Sequence, residues 1–382
     1  METIKGAYTS AQIFTINNPQ NAIDQYARAQ IQMICDQESS KDCRIRIMPD
    51  VHPGKVGTIG LTMTIGNSII PNLIGIDIGC GMTLAQIKGK KIEYQKLDTV
   101  IRDRIPSGFN IRTKPHRFVD KFNFNKLICA NHIRTNKAIL SLGSLGSGNH
   151  FIEIDRDDTG NLYIVIHTGS RHLGKEVTEY YLNEGQKILK EEGITVPYEI
   201  TRLKGTLMRD YIHDLQIVQQ FASLNREIIL EEIVKGMKWK ILDSYECIHN
   251  YVDASSQTLD TFGSFMLRKG AISAKTNERV IIPINMRDGV ILGTGLGNTE
   301  WNCSAPHGAG RIMKREDVKN NFTVSSFKSE MKGIYSSCIG KNTLDEAPFA
   351  YRNISDITEV IKDTIIVNKI IKPVYNFKAG NN

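Results

Sequence analysis

Along residues 206–236, Leu207, Met208, Tyr211, Leu215, Val218, Phe221, Ala222, Ile228, Ile229 and Ile233 recur at steps of three and four. That period places apolar side chains on one face of an α-helix, so the stretch is predicted as a long helix whose stripe is core. Residues 21–36 and 175–190 also read as helical. Short β-like runs at 44–48, 58–65, 82–87, 151–154, 163–166 and 280–284 are interleaved unevenly with these helices. The steady alternation of a doubly wound parallel sheet is missing, and an α+β fold is expected. No low-complexity segment, Pro-rich linker or repeat offers a place to divide the chain. Residues 1–382 are therefore taken as one composite domain with sheet layers flanked by helices.

With 382 residues, 41% hydrophobic and 23% charged, the chain can bury a substantial core, which excludes a disordered or fibrous protein. Lys and Arg outnumber Asp and Glu by 48 to 41, for a net charge of +7. This permits nucleic-acid binding without demanding it. Nine basic residues stand against three acidic ones between Lys88 and Arg117. Such a run is either a solvated face or an extension of a phosphate-binding track. The N-terminus lacks a basic start followed by an apolar run, and no stretch approaches the ~18 apolar residues of a membrane span, so a cytoplasmic protein is expected. Seven cysteines without a C-x-x-C pair argue against a disulfide framework or a zinc knuckle.

Five histidines, His52, His150, His167, His249 and His307, lie in or beside Gly-, Asn- or Pro-containing turns at the ends of β-like runs. Gly75-Ile76-Asp77-Ile78-Gly79-Cys80-Gly81 puts a carboxylate and a thiol three residues apart in a glycine-rich turn, close enough to share one metal ion. Ser144-Leu145-Gly146-Ser147-Gly148-Asn149-His150-Phe151 suits a phosphate cradle, and no G-K-[ST] follows it, which excludes a P-loop. His167-Thr168-Gly169-Ser170-Arg171 adds an imidazole and a guanidinium suited to phosphate, and Cys247-Ile248-His249-Asn250 adds a further imidazole. Asp, Cys and three His from separate loops would make one or two sites with open positions, as catalytic metals require. Ligand softness alone points to zinc. In Ser304-Ala305-Pro306-His307-Gly308-Ala309-Gly310-Arg311, small residues leave His307 accessible beside a basic run, a setting for a histidine nucleophile facing a phosphoryl group. Gly293-Thr294-Gly295-Leu296-Gly297-Asn298 lacks the third glycine of a dinucleotide fingerprint and reads as a hairpin turn.

Six motifs, in order, resemble the RtcB type of RNA ligase. They are Met48-Pro49-Asp50-Val51-His52, Asp77-Ile78-Gly79-Cys80-Gly81, Gly146-Ser147-Gly148-Asn149-His150-Phe151, His167-Thr168-Gly169-Ser170-Arg171, Arg268-Lys269-Gly270-Ala271 and His307-Gly308-Ala309-Gly310-Arg311. The resemblance implies an enzyme that joins RNA 3'-phosphate or 2',3'-cyclic phosphate ends to 5'-hydroxyl ends with GTP and two Mn2+ ions, in RNA repair or tRNA splicing. It implies that Cys80 bridges the two ions, with Asp77 and His150 on one and His167 and His249 on the other. His307 would be the guanylylated nucleophile, oriented by Asp50. Asn149, Phe151 and Glu153 would border the nucleotide, and Tyr351 and Lys378 would contact guanine. Arg171, Arg311 and Arg315 would position RNA phosphates, and the basic stretch from 88 to 117 could extend that track.

The segment Pro283-Ile284-Asn285-Met286-Arg287-Asp288-Gly289 stands where many members of that family have Pro-Gly-Ser-Met-Gly, so serine contacts to the nucleotide do not carry over. The compact length suggests a bacterial branch. Two rival readings are a phosphohydrolase acting on nucleotides or cyclic phosphates at the same metal site, and a noncatalytic RNA-binding module. Hydrolysis needs only a metal-bound water and gives no reason for an intact His307 motif. A binding module has no use for five metal-ligating side chains.

Overall fold

The computed structural model describes residues 1–16, 23–254 and 265–379. The long apolar stripe forms the helix Gly205–Met237, which ends where Lys238 takes the left-handed conformation. The helix expected over 175–190 runs from Arg171 to Glu191. The first helix spans only Gln25–Cys35, because Asp24 caps it by accepting from the amides of Tyr26 and Ala27. Residues 21 and 22 lie outside the described residues. The fold is α+β, as expected.

One sheet has six strands in the order Glu2–Lys5, Ser10–Ile13, Ile45–His52, Ile59–Thr64, Met266–Lys269, Asn250–Asp253. Its second and third strands run parallel. The other has seven, in the order Ile241–Ile248, Gly81–Ile87, Leu162–Thr168, Phe151–Arg156, Ile365–Phe377, Gly289–Gly295, Arg279–Asn285, antiparallel throughout. The long helix serves two cores. Tyr211, Leu215, Val218 and Phe221 join the apolar cluster beneath the six-stranded sheet, while Ile229, Ile233 and Met237 pack with Ala85, Ile152 and Ile164 of the seven-stranded one.

Two segments depart from the sequence reading. Gly293-Thr294-Gly295 is not a turn but the end of a strand, paired with both neighbours. Its glycines are there because a Cβ on Gly293 would lie 2.7 Å from the Ile366 carbonyl, and one on Gly295 would lie 2.3 Å from that of Lys275. The strand Ile365–Phe377 has no clean alternation, since Asn368, Lys369, Lys372 and Pro373 interrupt it. Pro373 is tolerated because the register slips between it and Tyr375.

Phe221 is fully buried, edge-on to Phe122 at 5.3 Å and Phe124 at 6.0 Å. Phe221→Ala is expected to cost about 3–5 kcal/mol, read as a lower midpoint in a denaturant melt. A midpoint unchanged from wild type would place this ring outside the cooperative core.

Candidate active site

Four neighbouring strands of the seven-stranded sheet present a donor residue at the same edge. His249 follows Ile241–Ile248, Cys80 precedes Gly81–Ile87, His167 closes Leu162–Thr168, and His150 precedes Phe151–Arg156. Adjacent strands lie about 4.8 Å apart, so side chains at one edge converge without any distortion of the sheet. Cys80 Sγ lies 3.5 Å from His150 Nε2 and 3.4 Å from His167 Nε2, and the Nε2 atoms of His167 and His249 are 2.9 Å apart. Asp77, on the loop before Cys80, brings Oδ2 to 3.1 Å from His150 Nε2. Two donor groups result, Asp77–Cys80–His150 and Cys80–His167–His249, with the thiol common to both.

The chemistry of these donors fits divalent cations. His150 Nδ1 donates to the Leu145 carbonyl and His167 Nδ1 to that of Asn149, so in the neutral ring each Nε2 is a bare lone pair, whereas a protonated His150 Nε2 donates to Asp77. In a neutral imidazole, the Nε2 of His150 would then face the Asp77 carboxylate lone pair to lone pair, which is repulsive unless a proton or a cation lies between them. Burial holds His167 and His249 well below the ordinary imidazole value, helped by the charges of His150 and His307 respectively. Burial, followed by the Asp77 charge, pushes the Cys80 thiol well above its usual value. Burial also works to raise Asp77, but the hydrogen bond and charge of His150 outweigh it and leave the carboxyl below its usual value. Gly169 is required here because a Cβ would sit 2.2 Å from Asp77 Oδ1.

The loops bearing these donors are fastened by two polar residues of the long helix that the apolar stripe does not reveal. Asn225 Oδ1 accepts from the amides of Gly143 and Ser144, and its Nδ2 donates to the carbonyls of Ser144 and Gly169. Arg226, with no solvent exposure, donates to the carbonyls of Gly79 and Thr168 and to the Glu246 carboxylate.

His307 lies across a cavity of about 130 Å³, its ring centroid 4.8 Å from that of His249. Its Nδ1 is 2.7 Å from Oδ2 of the fully buried Asp50. Asp50 reaches it because the strand Ile45–His52 shifts register against Ile59–Thr64 between Ile47 and His52, and such a bulge re-aims side chains. Gly270 lets this contact close, since a Cβ there would meet Ile59 Cγ2 at 2.2 Å and His307 Cε1 at 3.2 Å. Its neighbours are scaffold: Arg268 is fully buried against Ser304 and Tyr251, and Lys269 donates to the carbonyls of Val56 and Asn72.

The same cavity is lined by Asn149, Phe151, Glu153, Ile284, Asn285 and Met286, and at its far end by Arg311, Arg315, Glu346, Tyr351 and Lys378. Lys378 arrives because the strand Ile365–Phe377 ends beside Phe151–Arg156, with Phe377 opposite Ile152. Glu346, which nothing in the sequence singles out, organises this end. It accepts from Tyr351 Oη at 2.6 Å and from Lys378 Nζ at 2.8 Å, and it pairs with Arg315. Burial acts to raise its carboxyl, but Lys378, Arg315 and Arg311 pull it down to about 2. Arg311 donates to the Asp345 carbonyl at 2.7 Å and Arg315 pairs with the Asp345 carboxylate at 2.5 Å. Arg171 donates to Ser144 Oγ and the Gly108 carbonyl beside the Asp77 loop.

Much of the basic stretch from 88 to 117 is ion-paired or hydrogen-bonded to neighbouring segments while its arginines stay partly exposed. Arg102, Arg104 and Arg117 pair with Asp98, Glu232 and Glu231, and Arg112 donates to the carbonyls of Leu142, Gly143 and Arg104. Nearby, His116, Glu231 and Glu232 cluster as metal ligands would. His116 Nδ1, however, accepts from the Phe118 amide, so Nε2 carries the proton and gives it to Glu232.

The family model described as tRNA-splicing ligase RtcB matches residues 39–379. The chain is 31% identical over 363 residues to the RNA-splicing ligase RtcB of Escherichia coli (strain K12), covering 83% of this chain and 87% of that protein. It is 28% identical over 401 residues to RNA-splicing ligase RtcB2 of Escherichia coli (strain ATCC 25922), covering 96% and 95%. Against the tRNA-splicing ligase RtcB of Pyrobaculum aerophilum it is 25% identical over 416 residues, covering 85% of each.

Glu153 and Asp155 point to the same side of one strand. Burial raises the Glu153 carboxyl to about 7, and burial plus the Glu153 charge raises Asp155 well above its usual value. Both hold protons more tightly folded than unfolded. Their contribution to stability is therefore intact below the ordinary Asp and Glu values of 3.8 and 4.5 and is lost progressively as pH rises above them, for Glu153 through about 7. Asp155→Asn removes that loss, so its melting temperature relative to wild type is expected to be about 1–4 °C more favourable at pH 8 than at pH 5. An offset independent of pH would contradict the assignment.

Proposed function

The chain belongs to the RtcB family of RNA ligases, and from that premise we propose that it joins RNA 3'-phosphate or 2',3'-cyclic phosphate ends to 5'-hydroxyl ends with GTP and Mn2+, through a histidine–GMP intermediate on His307. The observation that carries this reading is the His307–Asp50 pair sharing one cavity with His167 and His249, whose donor group is joined to the second through Cys80. Asp50 accepts the Nδ1 proton, so the Nε2 lone pair is available, and the buried carboxylate stabilises the positive charge that builds on the ring during attack. His307 Nε2 forms a bond to the α-phosphorus of GTP while the bond to pyrophosphate breaks. The RNA 3'-phosphate, released first from any cyclic form by hydrolysis, takes the GMP and frees His307. The 5'-hydroxyl then attacks the activated phosphorus, losing its proton as GMP departs.

Asp77, Cys80 and His150 would hold one divalent cation, and Cys80, His167 and His249 the second. When bound, these ions offset negative charge on the phosphoryl oxygens. Asn149 and Phe151 border the nucleotide phosphates and ribose, while Glu153, Lys378 and Tyr351 form the end that receives the base. Arg171, Arg311 and Arg315 face RNA phosphates only after exchanging part of their present hydrogen bonds. The reading takes residues 1–382 as one catalytic unit acting in the cytoplasm, where seven free thiols persist. Among the described residues no helix is long and apolar enough to cross a membrane.

With α-labelled GTP and Mn2+, acid-labile covalent label is expected on the wild-type chain and none on His307→Ala. Asp50→Asn is expected to label at least ~100-fold more slowly, because the tautomer and the charge partner are both lost. Parallel reactions with ATP and with Mg2+ or Zn2+ identify the nucleotide and the metal. Consumption of nucleotide or cyclic phosphate with no label under any metal would replace the ligase reading by a phosphohydrolase.

A further inference from the structure

The segment that follows the helix Tyr94–Arg104 presents Phe109 with 74% of its surface exposed. A single exposed aromatic is ordinary on a protein surface, but this one stands on a loop that is tied to the active site. The Gly108 amide donates to the Gly146 carbonyl at 2.9 Å, the Leu145 amide donates to the Pro106 carbonyl at 2.9 Å, and Arg171 Nη2 donates to the Gly108 carbonyl at 3.0 Å. Gly146 and Leu145 belong to the loop that delivers His150. The ring is thereby held at a fixed place relative to the donor groups.

Phe109 overhangs a groove of about 550 Å³ that also includes Arg102, Lys341, Phe377 and Lys378. No carboxylate lines it among the described residues. The Arg102 guanidinium lies 5.2 Å over the Phe377 ring, its side chain half exposed, and Lys341 on the same lining is exposed. At its inner end the groove meets the catalytic cavity through Lys378, which lines both. A bare ring beside the exposed Lys341 and an Arg102 whose partner Asp98 lies off the lining is the complement of a single strand, whose bases stack and whose phosphates seek cations. A duplex offers no free base face to the ring.

We propose that this groove binds single-stranded RNA next to one of the ends to be joined, with a nucleobase stacked on Phe109. The inference rests on the RNA-ligase reading above and adds a subsite to it. Removing one stacking contact is expected to raise the RNA KM of Phe109→Ala about tenfold or more, with an unchanged melting temperature and with recovery in Phe109→Trp. In Phe109→Trp the new indole emission is expected to be quenched by a short RNA bearing a 3'-phosphate or a 5'-hydroxyl. Lys341→Gln should weaken that quench and lower its log–log salt slope by about one unit. An RNA KM unchanged in Phe109→Ala, or indole emission indifferent to both oligonucleotides, would overturn the proposal. If the wild-type chain neither labels with nucleotide nor ligates, the ligase reading fails, and the indole quench still decides whether the groove binds RNA.

Discussion

Arg226 is a guanidinium with no solvent exposure, in the middle of a helix otherwise committed to apolar packing. An uncompensated charge at that depth would cost several kcal/mol, so the chain can fold only in an arrangement that surrounds it with acceptors. Those acceptors are the carbonyls beside Cys80 and His167 and the carboxylate of Glu246, three residues before His249. Asn225 binds the loop that leads to His150 and the carbonyl of Gly169. The requirement to satisfy two adjacent polar side chains thus fixes the relative positions of all four loops. The sheet brings the donors to one edge, and the helix stops their loops from relaxing apart, which is the support a convergent lone-pair cluster needs.

Two carboxyl groups around Lys378 solve charge burial in opposite ways. At Glu346, Lys378, Arg315 and Arg311 outweigh burial and keep the carboxylate ionised, with Arg315 shared with Asp345. At Glu153 and Asp155, two carboxyls share a buried site, and burial outweighs the hydrogen bonds of Asp155 and Asn376 and the charge of Lys378 on Glu153, tipping the balance towards the protonated forms. Lys378 lies between them, donating to one and biasing the other. This corner of the cavity thus combines a fixed acceptor, a fixed cation and a carboxyl whose proton is available near neutral pH.

Much of this was legible because the period of apolar residues and the chemistry of turns are local properties. The stripe from Leu207 to Ile233 identified the long helix, and glycine-rich turns marked Asp77, Cys80, His150 and His167, which the sheet gathers at one edge. Other features depend on register and depth, which no local pattern encodes. Asn225 and Arg226 look like ordinary polar positions on a helix until their zero exposure is known. Glu346 has no motif and matters only through three cations from distant segments. The charges between Lys88 and Arg117 suggested a free basic track because their acidic partners, Glu231 and Glu232, lie more than a hundred residues later. The strand Ile365–Phe377 escaped because its burial changes irregularly where its register slips at Pro373.

Cys80 lies where two donor groups built from adjacent strand ends meet, so it would be a ligand common to two cations. Anaerobic titration of the metal-free chain with Co2+ tests it most directly, since the thiolate-to-cobalt absorption reports coordination by sulfur and equilibrium dialysis counts the ions. From this sharing, two ions per chain, sulfur absorption that grows with both, and loss of tight binding at both sites in Cys80→Ser are expected. A single ion, or two ions bound without sulfur absorption, would contradict it.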